Sequence, residues 1–173
     1  MTEVSFVRGD ITGFAADAIV NAANSALAGG GGVDGAIHRV GGPAVMDDLH
    51  RRYGPGRHCP TGRAVVSDAG DLPARLVIHA VGPVWRGGGA GEADLLAGAY
   101  RTSLDLAAEH GCRTVAFPSI STGIYGYPVR EAARVALATV YAWIGERPDT
   151  FDSITFVLFS DETLRAFQET DGS

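Results

Sequence analysis

Thr114-Val-Ala-Phe117-Pro118-Ser-Ile-Ser121-Thr-Gly123-Ile-Tyr125-Gly126-Tyr-Pro128-Val-Arg-Glu-Ala-Ala-Arg-Val-Ala-Leu-Ala-Thr-Val-Tyr-Ala-Trp143-Ile-Gly145 runs from a short apolar stretch, through a loop rich in glycine and hydroxyls, into a helical repeat. Val129, Ala132, Ala133, Ala136, Val140 and Trp143 recur at three- and four-residue steps, while Arg130, Glu131 and Arg134 fall on the other side. This spacing predicts a helix over 128–145 that covers a sheet. Thr114–Phe117 carries apolar residues on both alternating sets, as does Ser153–Phe159. Strands of that kind are buried on two faces, so helices must cover both sides of the sheet.

Working outward, further short runs at Val4–Arg8, Ala18–Asn21, Ala64–Asp68 and Arg75–Val81 read as strands, each bounded by Gly, Pro, Asn or Asp. Helical patterns lie at Gly35–Tyr53, broken before Pro43, and at Glu92–His110 and Asp161–Glu169. The alternation predicts an α/β fold: a three-layer α/β/α sandwich around a mixed, mostly parallel central sheet of about six strands. The chain of 173 residues suits one domain over 1–173, with a core of about 4–169. Gly87–Gly91 reads as a mobile surface loop and Thr170–Ser173 as a frayed tail.

The formal net charge is −6, which argues against a large basic surface for nucleic-acid backbones. Any phosphate must then be held by a local device. No apolar run reaches the roughly 20 residues of a membrane span, and Met1–Asp10 lacks a signal-peptide core, so a cytoplasmic protein without a membrane partner is expected. Cys59 and Cys112 belong to no short-spaced cluster with histidine; they read as plain thiols, and neither a metal nor a cofactor is expected.

Three loops at strand ends carry unusual sequences, and ligands of open α/β sheets bind beyond such ends. The first, Asn21-Ala-Ala-Asn24-Ser-Ala-Leu-Ala-Gly29-Gly-Gly-Gly32-Val33-Asp34-Gly35-Ala-Ile-His38, contains four consecutive glycines. Without side chains, such a backbone can approach an anion, and the following helix adds free N–H groups and a favourable dipole. A phosphate cradle is favoured over the competing floppy linker. The G-x-G-x-x-G match at Gly30, Gly32 and Gly35 is a poor Rossmann turn, because eight residues separate Asn21 from Gly30. The second loop, 118–128, offers hydroxyls at Ser121 and Thr122, permissive backbone at Gly123 and Gly126, and a flat face at Tyr125 for a sugar. Two such loops on one sheet edge suit a diphosphate. In the third, Gly9-Asp10-Ile11-Thr12, the Asp10 carboxylate and the Ile11 N–H match the edge of adenine, although an Asp cap is the simpler reading of that segment. Phe159, at the last strand end, is a candidate to stack on a base or to pack as a rim aromatic.

Together with Ile19-Val-Asn-Ala-Ala-Asn24, Gly30-Gly-Gly-Val-Asp-Gly-Ala-Ile-His38 and Ile120-Ser-Thr-Gly-Ile-Tyr-Gly-Tyr-Pro128, these segments resemble the macro domains, in particular the MacroD-type bacterial O-acetyl-ADP-ribose deacetylases. The likeness spans about Val4 to Leu164 and departs at Val40-Gly41-Gly42, where Ala-Ala-Gly is expected. It implies ADP-ribose and its O-acyl esters as ligands, with Asp10, Ile11 and Phe159 at adenine. Gly32, Val33, Asp34, Ser121, Thr122, Gly123, Ile124 and Tyr125 would hold the diphosphate and distal ribose. It further implies Asn24 and Asp34 as the catalytic pair, Asn24 on the ribose and Asp34 at the scissile ester, with Asn21 supporting the strand end.

Ester hydrolysis at that ribose needs an oriented water, attacking the carbonyl or the anomeric carbon, and one carboxylate suffices to hold it. His38 and His79 read as packed or capping residues. Substrates would be O-acetyl-ADP-ribose, mono-ADP-ribosylated aspartate or glutamate in proteins, or nucleic-acid ends carrying ADP-ribose. A non-catalytic ADP-ribose reader and an interaction partner that regulates RNA processing are the alternatives on the same fold.

Overall fold

The computed structural model describes residues 1–172. Six strands, β1 (Glu3–Arg8), β2 (Ala18–Ala22), β3 (Ala64–Asp68), β4 (Leu76–Ala80), β5 (Thr114–Phe117) and β6 (Ser153–Leu158), form one sheet in the order β1-β6-β5-β2-β4-β3. Only the β3–β4 pairing is antiparallel. The helices are α1 (Gly32–Gly41), α2 (Pro43–Tyr53), α3 (Glu92–Glu109), α4 (Val129–Glu146) and α5 (Asp161–Asp171).

Side-chain alternation along the strands separates two cores. Val20, Ile78, Phe117 and Phe156 pack with Leu96, Tyr100 and Leu104 of α3, Val140 and Trp143 of α4, and Phe167 of α5. On the opposite face Ile19, Val77, Ala116 and Val157 pack with Ile37 of α1 and with Ile11 and Leu72. The three layers follow from these two apolar faces. They also decide where the polar members of the strands point: Asn21 shares the face of Ile19, and His79 that of Val77, so both look towards α1.

The structure corrects several boundaries. The first helix begins at Gly32, three residues before the position predicted, so Val33 and Asp34 belong to its first turn. β6 ends at Leu158 and leaves Phe159 outside the ladder. Thr170 and Asp171 are no frayed tail: α5 runs through them, with the Thr170 hydroxyl on the Ala166 carbonyl at 2.6 Å and Tyr141 of α4 donating to Asp171; Ser173 lies outside the described residues. Nor is the segment around Gly87–Gly91 loose. The Glu92 carboxylate accepts the N–H groups of Arg86, Gly88 and Ala90 at 2.7–2.9 Å. Burial disfavours its charge, yet these donors outweigh burial and hold the carboxyl at about 2. The Val40-Gly41-Gly42 departure has a packing reason. A Cβ on Gly41 would lie 2.7 Å from Val45 Cγ2 and 3.3 Å from the Ala69 carbonyl, and Gly42 at φ +79° lets the chain turn into Pro43.

Candidate functional site

At the carboxyl end of the parallel strands, two adjoining hollows form one cleft. The larger, about 620 Å³, is bounded by Asp10, Ile11, Thr122, Phe159 and Arg39 among others. The smaller, about 300 Å³, is bounded by Asn24, Asp34, Ser121, Ile124 and Tyr125. Gly32, Val33, Ser119 and Gly123 line both, so the glycine loop and the 118–128 loop form the neck between them. Volumes of this size suit small-molecule sites.

In the larger hollow, Asp10 caps a 3-10 turn, Ile11–Gly13, with Oδ1 accepting from the Thr12 hydroxyl at 2.6 Å and the Thr12 N–H at 3.0 Å. Those bonds, the hydroxyl's first, hold its carboxyl below the usual range against partial burial. The cap reading is therefore correct, and because both bonds fall on Oδ1, Oδ2 still has room for an amine donor. Phe159 at the rim is 78% exposed.

Around the neck, Gly32 has φ +59°, with nothing within 4 Å of where a Cβ would stand. The glycine there serves backbone conformation and an open approach rather than internal packing. Gly35, one turn of the cradle later, packs closely: its Cβ would sit 2.5 Å from the Gly30 carbonyl. In the facing loop Ser121 adopts φ +71°, uncommon for a residue with a side chain. Its Oγ is buried and unpartnered, and a Cβ on Gly82 would lie 2.2 Å from it. The Ser121 hydroxyl is thus turned into the protein, and the residue meets the cleft through its backbone. The Thr122 hydroxyl is also engaged, donating to Ser119 Oγ at 2.8 Å. Of the two hydroxyls expected at a ligand, that of Ser121 is turned inward and that of Thr122 is held on Ser119.

In the smaller hollow the glycine loop is ordered by Asn24, whose Nδ2 donates to the Gly29 carbonyl at 2.9 Å while its Oδ1 accepts from the Ala28 N–H at 3.1 Å. Asp34 is only 6% exposed. Its Oδ1 accepts from Asn21 Nδ2 at 2.8 Å and stands 3.3 Å from His38 Nε2 one turn along α1. Oδ2 takes no hydrogen bond from any described residue. A Cβ on Gly30 would stand 3.4 Å from that oxygen and 3.7 Å from Asn24 Nδ2, so both groups face the same glycine.

A match to the Macro domain model covers residues 20–136, more than half of the chain. The chain belongs to the macro domain family. It is 51% identical over 166 residues to the O-acetyl-ADP-ribose deacetylase of Enterobacter cloacae, covering 96% of this chain and 92% of that protein. Among solved structures it resembles the Oceanobacillus iheyensis macrodomain with ADP, at TM-score 0.89 and 41% identity, covering 96% of this chain and 88% of that one. It also resembles the Trypanosoma brucei macrodomain in complex with ADP-ribose, at TM-score 0.88 and 39% identity, covering 98% and 69%.

Every residue that the resemblance places against ADP-ribose lines one hollow or the other in this macro domain, whereas Gly126 of the second loop lines neither. Sequence reading missed Ser119 at the neck, and Arg39, Ser160, Glu162 and Thr163 around the larger hollow. Ser160 and Thr163 carried a signal, since Ser-x-x-Thr before an apolar repeat marks a helix cap, and Ser160 Oγ indeed accepts the Thr163 N–H at 3.2 Å. Arg39 and Glu162 carried none. Also missed was the set of polar side chains behind Asp34, where Asn21 does not merely support the strand end but binds the carboxylate itself.

Proposed function

We propose that this macro domain binds ADP-ribose across both hollows and hydrolyses an ester at the distal ribose, with Asp34 holding the attacking water. The observation that carries this reading is the asymmetry of Asp34: one oxygen is anchored in the protein, while the other lines the cleft without a partner, beside Gly30 and Asn24. A carboxylate so held has one rotamer and one open acceptor, the requirement for orienting a water and receiving its proton. The acyl–oxygen bond to the ribose then breaks as the water oxygen bonds to the acyl carbon, and the proton passes to the leaving ribose oxygen. The loop backbones of Gly32–Val33 and Ser121–Tyr125 would take the diphosphate and ribose, with Asp10, Ile11 and Phe159 at adenine. The name of the Enterobacter relative and the ligands of the Oceanobacillus and Trypanosoma structures support this substrate class. Acetyl and the carboxyl side chains of ADP-ribosylated proteins are the acyl groups proposed, since the chemistry at the ribose is the same for both.

The test is single-turnover hydrolysis of O-acetyl-ADP-ribose and of an aspartate- or glutamate-linked ADP-ribosyl protein, alongside titration with ADP-ribose. Asp34→Ala should lower the rate by about a hundredfold or more with much less change in affinity. Asn24→Ala should lower both, because its amide orders the loop. A folded Asp34→Ala protein that hydrolyses at the wild-type rate would refute the catalytic role of Asp34. A wild type that binds ADP-ribose tightly and turns over neither ester would make the protein a reader.

A further inference from the structure

Behind Asp34 a chain of buried side chains crosses three strands. β2 and β4 place Asn21 beside His79, and β3 and β4 place Val65 beside His79 with Ser67 beside Val77. By strand alternation Asn21, His79 and Ser67 share one face. Asn21, His79 and Ser67 are all fully buried.

The donors and acceptors of this chain allow one arrangement. Asn21 Nδ2 donates to the Asp34 carboxylate, so towards His79 Nδ1 it can only donate and the neutral imidazole accepts there, while Ser67 Oγ, 2.8 Å from Nε2, takes the ring's N–H and turns its own hydrogen to the Asp68 carbonyl at 3.0 Å. His79 therefore carries its proton on Nε2, and Nδ1 is left as an acceptor. Nδ1 lies 3.1 Å from Asn21 Nδ2, which also donates to Asp34 Oδ1 at 2.8 Å. Both N–H bonds of the Asn21 amide are then engaged, one on the imidazole and one on the carboxylate. Turning the amide over would set its oxygen against the Asp34 oxygen and the imidazole lone pair together, losing both bonds. In the arrangement present, Asn21 Oδ1 is buried without a hydrogen-bond partner among the described residues, an unfavourable state that persists because the two Nδ2 bonds determine the orientation.

We propose that His79 and Ser67 are positioning residues for hydrolysis: Ser67 sets the His79 tautomer, His79 holds Asn21 as a double donor, and Asn21 fixes the Asp34 carboxylate with its second oxygen in the cleft. This rests on the hydrolase reading given above and extends it to two strands that do not touch the cleft. Burial and the neighbouring His38 depress the affinity of His79 for a second proton, against the opposing pull of Asp34 and Asp48, so the imidazole keeps Nδ1 free to accept.

The experiment combines single-turnover hydrolysis of O-acetyl-ADP-ribose, ADP-ribose titration and long-range ¹⁵N–¹H spectroscopy of the histidine rings. His79→Leu keeps most of the ring's volume but has no acceptor; it should slow hydrolysis about tenfold or more while leaving ADP-ribose affinity within about twofold. His79→Asn, whose side-chain oxygen can stand near the Nδ1 position, should recover most of that rate. Ser67→Ala, the milder variant should His79→Leu not fold, should show a smaller loss in rate and a mixed tautomer signal. In the wild type the spectrum should show His79 protonated on Nε2 alone. An active wild type with the proton on Nδ1 sinks the positioning role while leaving the hydrolase reading intact. So does a His79→Leu rate equal to wild type, or His79→Asn as slow as His79→Leu. An inactive wild type takes the hydrolase reading and the positioning role together, and the Nε2 signal then still reports whether the buried chain is ordered as described.

Discussion

His79 should make folding of this protein sensitive to mild acid. Its ring is fully buried between the sheet and α1, facing His38 and Asp34 of that helix, with Asp48 of α2 further off; burial first, and then the charge of His38, lower its pKa from 6.5 to about 3. The unfolded chain takes up a proton near pH 6.5 that the folded chain refuses until pH approaches 3. The penalty on folding is therefore absent well above 6.5 and grows as pH falls through the interval between the two values. From pH 7 to pH 5 it amounts to about 2 kcal/mol, at about 1.4 kcal/mol per pH unit once the unfolded histidine is protonated. For a chain of this length that is a fall in Tm of roughly 4–8 °C. The carboxylates held low by hydrogen bonds act in the same direction but at lower pH. Glu92, lowered to about 2, contributes stability above its ordinary value of 4.5 that is lost only as pH falls from there towards 2. Urea unfolding of wild type and His79→Asn at pH 7 and pH 5 isolates the contribution of the imidazole by difference. The variant should be less stable at pH 7, and its stability should fall by about 2 kcal/mol less on acidification. Equal pH dependence in the two proteins would show that His79 is not excluded from protonation in the fold, and the fixed tautomer behind Asp34 would lose its basis.

Three further outcomes are expected. Gly32→Glu has open space for its side chain but places an L residue at φ +59° and a carboxylate at the cleft neck; it should reduce stability by about 1 kcal/mol and ADP-ribose affinity about tenfold or more, and unchanged affinity by calorimetry would remove the glycine loop from the phosphate site. Phe159→Ala should weaken ADP-ribose about tenfold, the scale of one lost stacking contact, without affecting ribose 5-phosphate; equal losses for both ligands would place the ring away from the base. Glu92→Ala frees the three N–H groups that its carboxylate now holds; amide exchange at Arg86, Gly88 and Ala90 should accelerate selectively, and unaltered protection there would mean that another contact orders the loop.

The layers and strands were legible because their signals are local. Two apolar sets on β5 and β6 require cover on two faces, and the three- and four-residue spacing of α4 marks the cover of one of them. The ends of elements were less legible. Gly32, Val33 and Asp34 read as loop because glycine is the poorest helix former after proline, yet burial of Asp34 and Ile37 against the sheet extends α1 back through them. The continuation of α5 through Asp171 depends on Tyr141, thirty residues earlier in the chain. In the site, the glycine run stood out because such runs have few uses other than close backbone approach, whereas Asn24 and Asp34 were singled out only by the resemblance to macro domains.

The polar chain behind Asp34 could be read only in half. Asn21 and His79 are each a polar residue within an apolar strand, and alternation with Val20 and Ile78 places each on the face opposite the larger core. What sequence does not contain is that β2 and β4 pair in parallel with Asn21 against His79, residues 58 apart, or that β3 runs back to bring Ser67 within 2.8 Å. A one-residue slip in either register would turn an imidazole or an amide to the other face, into the apolar core built with α3 and α4. The buried polar groups thus set a condition on strand pairing as well as on the carboxylate they hold: the register that satisfies them is also the one that leaves Asp34 Oδ2 open to the cleft. If the proposed hydrolysis and the proposed positioning role both hold, a substitution at Ser67, which lines neither hollow, should slow single-turnover hydrolysis, and a Ser67→Ala rate equal to wild type would separate strand pairing from the carboxylate.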